Sequence, residues 1–219
     1  MSDQNALVPL GDLGIVAPDD KMFNQISSQV FLPRVMLMQS SSEVVKTDKI
    51  KQGNFAVVTD KNEPDDLGNS FDALILNWRP KAMRIENSEI VEDVYDFNDE
   101  SYKQIMKDSE LREDGKSSLY GPEFLCYIPS KKKYATFFFS NKTARREAPV
   151  VKGLLGKVVT FKNKLIKSGT RSWFGITSFE SSTPLSEMPD MTIMKEQVAV
   201  FQKPVSKKKE VAKDAGRER

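Results

Sequence analysis

The 219-residue chain contains no histidine and only one cysteine, Cys126. Without histidine there is no Ser-His-Asp or Cys-His catalytic set, no imidazole ligand for zinc, and no general base that titrates naturally near neutrality. One cysteine excludes an internal disulfide and a cysteine-based zinc cluster, and Cys126 reads as a small buried apolar residue on a strand. Long apolar runs are missing too, since none approaches the ~20 residues that span a bilayer. The opening MSDQNALVPLGDLG has neither a basic start nor an apolar stretch, so no secretory leader and a cytoplasmic location are expected. A GxxxxGK[ST] phosphate loop, a GxGxxG turn and calcium-loop spacing of acids are all absent from the sequence. A non-catalytic protein without cofactor or metal, and without a membrane partner, is the expectation.

What is present is charge sorted by position. Glu86 to Asp114 carries eleven acids and three bases, a net −8, whereas Lys131 to Arg171 carries twelve bases against the single acid Glu147, a net +11. The overall +2 hides this polarity, which predicts faces of opposite sign. Tyr134, Phe137, Phe138, Phe139, Phe161, Trp173, Phe174 and Phe179 are threaded through the basic block or just beyond it. Cations and rings are the two ingredients of a single-stranded nucleic-acid site: phosphates release counterions to Lys and Arg, and unpaired bases stack on exposed rings.

Periodicity and breakers predict a mainly β chain with a few helices, of α+β class. Residues 1–28 read as a flexible arm, 29–202 as a single domain with an acidic insertion at 86–114, and 203–219 as a disordered basic tail. Strands are expected over Phe31 to Met38, over NFAVVT after Gly53, and over Phe71 to Trp78, where Arg79-Pro80 ends the run. A short helix within Asn98 to Glu110 places Tyr102, Ile105 and Met106 on one side. Glu123 to Ile128 and Tyr134 to Phe139 form a hairpin about PSKKK. Asn141 caps a helix over KTARREAPVVKGLLG, with Gly156 as its terminator. In KVVTFKNKLIK, Val159, Phe161 and Leu165 point one way while Thr160, Lys162 and Lys164 point the other; RSWFGITSF alternates again after the SGT turn. Asp190 caps a last helix striped by Met191, Met194, Val198 and Phe201.

FLPRVMLMQSSSEV followed by QGNF resembles the opening of a group of bacteriophage single-stranded-DNA-binding proteins, and FSNKTARREAPVVKGLLGKVVTFKNKLIKSGTRSWFGITSF is similar to their later half. The resemblance covers roughly residues 30–200. It implies an OB-like small β-barrel, here with the acidic insertion and a C-terminal helix, that binds strands across one face. It also implies a protein of the host cytoplasm that coats single-stranded DNA in phage replication or recombination, self-associates, and meets phage replication or recombination proteins. Two departures stand out. Several members carry mid-chain cysteines suited to zinc, which this chain lacks, and bacterial single-strand binders end in an acidic tail where this chain ends in a basic one.

On this reading Lys131, Lys132 and Lys133 on a turn, Arg145 and Arg146 on a helix, and Lys162, Lys164, Lys167 and Arg171 on a hairpin track phosphates. Trp173 is the first stacking ring, with Tyr134 and Phe174 behind it. The acidic region is either a solvated insertion or a nucleic-acid mimic seated in the basic groove. Two other classes stay open: a phage virion or assembly protein making charge-mediated protein contacts, and a metal nuclease using carboxylates such as Asp93 and Asp96.

Overall fold

A long strand that carries a proline opposite a proline of its neighbour organises the molecule. The computed structural model describes residues 32–59, 63–87, 89–110, 116–185 and 187–203, so the expected arm at 1–28 and the tail beyond Lys203 lie outside the described residues. Strands β1 (Arg34–Leu37), β2 (Phe55–Val58) and β3 (Asp65–Gly68) lead into β4 (Ser70–Glu86), followed by β5 (Glu89–Val94), β6 (Lys116–Ile128), β7 (Lys133–Phe138), β8 (Val158–Ser168) and β9 (Arg171–Glu180). Helices α1 (Glu43–Lys46), α2 (Glu100–Asp108), α3 (Lys142–Lys152) and α4 (Met191–Gln202) fill the connections and the C-terminal end of the described chain.

The strands form one mixed sheet in the order β3-β2-β1-β7-β6-β4-β8-β9, with β5 beside the far end of β4. Only the β1–β7 pair among these is parallel. The pairing does not close into a barrel. The sheet nevertheless curls: β3 passes through Asn69 straight into β4, and the Phe55 and Phe71 rings from β2 and β4 meet edge-on with centroids 5.0 Å apart. Phe137, Phe139 and Phe161 join them in the concave core, over which α3 lays Ala144, Ala148 and Val151. Three rings of the basic block are therefore core.

β4 does not end at Arg79-Pro80 as its sequence predicts. Pro80 lies opposite Pro122 and falls between the stretch of β4 that pairs β8 and the stretch that pairs β5. Pro122 O accepts from Phe139 N at 2.9 Å, on the side away from β4, so Pro80 and Pro122 meet as a non-hydrogen-bonded pair and neither missing N–H interrupts the β4–β6 ladder. β4 therefore continues into the acidic region, which is an ordered lobe of β5 and α2. Asp99 caps α2 by accepting from Ser101 N at 2.9 Å, and Tyr102 and Ile105 pack on Ala82 and Val94. Arg84 ties the lobe down, 2.6 Å from Asp108 and 3.8 Å from Glu92.

The opposite face of the central strands is covered by α4, whose Met194, Val198 and Phe201 pack on Leu74, Leu76, Leu125 and Tyr127. Asp190 caps it, accepting from Thr192 N at 2.7 Å and Ile193 N at 3.1 Å. α3 has Asn141 as its cap, accepting from Ala144 N at 2.8 Å, but it stops at Lys152, one turn before Gly156. No helix among the described residues is long and apolar enough to cross a membrane.

Candidate nucleic-acid interface

The β8–β9 ribbon follows from its alternation. Its register is regular from Val159↔Glu180 to Ser168↔Arg171, and the two-residue turn opens on Gly169 with φ 57°, the sign that tight hairpins require. Cross-strand partners share a face. One face is therefore Thr160/Phe179, Lys162/Thr177, Lys164/Gly175, Ile166/Trp173 and Ser168/Arg171; the other is Phe161/Ser178, Asn163/Ile176, Leu165/Phe174 and Lys167/Ser172. The second face starts in the core at Phe161 and Ile176. The first is exposed at both lysines, Arg171, Trp173 and Phe179.

β4 pairs β8 only as far as Ser70↔Lys162, so the outer half of the ribbon has no strand beside β8. Side chains from the β1–β2 wing hold it instead. Gln39 Nε2 donates to Phe174 O at 3.0 Å while Phe174 N donates to Gln39 Oε1 at 3.2 Å, a one-residue bridge made by an amide side chain. Asn163 Nδ2 donates to Gly53 O at 2.6 Å, and the Phe174 ring packs so closely on Gly53 that a Cβ there would stand 2.8 Å from it. The free edge of β9 is capped by α3: Glu147 accepts from Ser178 N at 3.1 Å and from Ser178 Oγ at 3.0 Å. Glu147, the lone acid of the basic block, is thereby a structural group.

The expected residues divide sharply by this geometry. Lys162, Lys164, Arg171 and Trp173 come together on one exposed face, where Trp173 is 36% exposed. Among the described residues none of these three cations makes an ion pair. Lys167 stands on the opposite face near the tip. Phe174 is also on that face, and its ring and backbone form the joint with Gln39 and Gly53. Tyr134 packs beside Tyr127, centroids 5.1 Å apart, next to the α4 layer; burial, then the Tyr127 and Asp190 neighbours, push its hydroxyl up to about 12.

The lysine turn is a 3-10 turn over Pro129–Lys131, followed by Lys132 at φ 50°. Lys132 pairs with Glu187 at 3.0 Å, and Lys133 pairs with Asp65. The hydrogen bond from Lys133 holds the Asp65 carboxyl below its usual range, and the one to Glu187 raises Lys132. Only Lys131 of the three has no ion-pair partner among the described residues. On α3, Arg146 is exposed, whereas Arg145 lies 4.0 Å over the Tyr120 ring and donates to the carbonyls of Tyr120 and Ser140. Gly121 makes room for that crossing, with φ 152° and no space for a Cβ beside Phe139 O. Lys152 covers the Trp78 ring at 3.3 Å, and burial lowers its ammonium pKa.

Two groups were not singled out from sequence. Phe179 is 43% exposed on the cationic face, with Lys162 Nζ 5.3 Å over its ring; its place in the alternation of RSWFGITSF was the available signal. Gln39 carries no sequence signal, because its partner Phe174 lies 135 positions away. The Cys126 thiol is buried, donates to Ala135 O at 3.3 Å, and is pushed up to about 12 by burial. Asp93 accepts from the Tyr95 hydroxyl at 2.9 Å. Among the described residues no group of three or more carboxylates and cysteines could hold a metal ion. No protein-family model matches the chain, and no curated protein or solved structure matches it.

Proposed function

We propose that the chain binds single-stranded DNA on the outer face of the β8–β9 ribbon, coating strands without catalysis, in keeping with the phage proteins it resembles. One observation carries the reading: three cations without an ion-pair partner among the described residues, Lys162, Lys164 and Arg171, share an exposed face with Trp173. Cations alone would serve duplex DNA as well. An exposed ring in their midst serves unpaired bases, because only these offer a free π-face. An OB-like relation is part of the proposal in a reduced form, as a curled sheet that presents a ribbon rather than as a closed barrel. Lys131 and Arg146 extend the positive field, and Lys132 and Lys133 can exchange weak exposed ion pairs for phosphates.

Fluorescence titration with an oligothymidylate at several salt concentrations tests this. Quenching of Trp173 is expected, with log affinity falling linearly in log salt at roughly −0.7 per phosphate contacted. A Trp173→Ala variant separates its signal from that of Trp78. Binding that ignores salt, or that prefers duplex, would sink the reading. Concentration-dependent assembly without any DNA binding would favour a virion or assembly role instead.

A further inference from the structure

Resting on the single-stranded reading, we propose that Phe179 is a second stacking ring, and that Trp173 and Phe179 bracket the lysine track and set the length of strand the ribbon holds. The two rings are six residues apart on one regular strand, hence on the same face and about 20 Å apart at ~3.3 Å per residue. The two cross-strand rows between them are Lys164/Gly175 and Lys162/Thr177, so both charged side chains of the rows between the rings are cations. Gly175 carries no side chain, and its neighbours Ile166 and Thr143 leave no room for one. Ile166 and Thr143 thus fill the floor between the rings at Gly175, and both lysines stand on the adjoining strand.

Phe179 is 43% exposed, and over its ring lies the Lys162 ammonium, which a phosphate would also attract. Past Phe179 the sign of the surface reverses. Asp72 shares its row, accepting from Thr160. This carboxylate ends the track on that side, and the turn at Gly169 ends it on the other. A strand stacked at ~3.4 Å per nucleotide covers 20 Å in about six nucleotides, and a stretched one in fewer. A trimer is too short to reach both rings.

The test is titration of the full chain with dT3 and dT10, comparing wild type with Phe179→Ala, Phe179→Leu and Phe179→Tyr, and following Trp quenching and anisotropy. Phe179→Ala and Phe179→Leu are expected to weaken dT10 about 5- to 100-fold, while Phe179→Tyr, which keeps the ring, binds as wild type. Binding of dT3 at Trp173 should be unchanged by all three. Equal dT10 affinity for Phe179→Leu and wild type would overturn the stacking role, and a parallel loss of dT3 binding in the Leu variant would overturn the bracketing. If wild type binds neither oligonucleotide, the parent reading falls and this one with it; wild-type binding that Phe179→Ala leaves intact overturns this inference alone.

Discussion

Single side chains decide how the ribbon is held and how the sheet tolerates charge. Gln39 supplies two hydrogen bonds to the Phe174 backbone, in place of a neighbouring strand. At roughly 0.5–1.5 kcal/mol each, Gln39→Ala should cost about 1–3 kcal/mol, felt locally. Hydrogen exchange should quicken at the Phe174 amide and at its β9 neighbours while the β4–β6 ladder keeps its protection; uniform loss of protection would mean that Gln39 supports the whole fold instead. Glu123 shows the opposite situation, a fully buried carboxylate. Arg79 reaches it at 2.7 Å and Lys81 at 2.7 Å, and Arg79 also lies between the Tyr95 and Phe201 rings at 4.2 and 4.1 Å. Burial opposes the charge, but the two cations hold its pKa below the ordinary 4.5. A depressed folded-state pKa gives stability that is full above the unfolded value and is lost as pH falls through the folded one. Unfolding free energy should therefore drop below about pH 4.5, and Glu123→Gln should flatten that limb in urea titrations. The same change strands Arg79 and Lys81, at a cost of about 3–5 kcal/mol near neutrality.

Among the elements, the acidic lobe of β5 and α2 and the basic ribbon of β8 and β9 both hang on β4, at its Glu86 and Ser70 ends respectively. Fifteen residues of strand lie between these two ends. The lobe is held to the Glu86 end of β4 by the Ala82, Val94, Tyr102 and Ile105 cluster and by Arg84, which takes up its Glu92 and Asp108 carboxylates, so those two acids serve the lobe itself rather than a nucleic-acid mimic's contact with basic groups of the ribbon. Ile105→Ala should destabilise the protein by about 2–5 kcal/mol in denaturant melts, by opening a cavity in that small cluster. DNA affinity of the folded variant should equal that of wild type; a tighter complex would revive competition between the lobe and the strand. The charge run alone could not separate these readings. It fixed the sign of the segment, and Asp99 with Tyr102 and Ile105 made α2 legible, but the strand β5 within it required β4 to run on past Pro80.

For the molecule as a whole, a sheet with two oppositely charged ends orients in the field of a polyanion, with the ribbon toward it and the lobe away. The sequence by itself determined the sorting of charge, the caps at Asn141, Asp99 and Asp190, and the alternation that puts Lys162 and Lys164 on one side of β8, because each of these is set by residues within one or two turns of each other. The hairpin about the lysine turn was legible for the same reason. Which cations stay unpaired was decided only by the tertiary structure. Asp65 and Glu187 reach Lys133 and Lys132 from 68 and 55 positions away, and Arg145 is taken up by the Tyr120 ring. The fate of the rings was decided there too: Phe137, Phe139 and Phe161 go to the core because the sheet curls over them, Tyr134 goes beside the α4 layer, and Phe174 becomes a joint. Trp173 and Phe179 remain exposed because the ribbon runs along the outer face, where no layer of the described structure covers them.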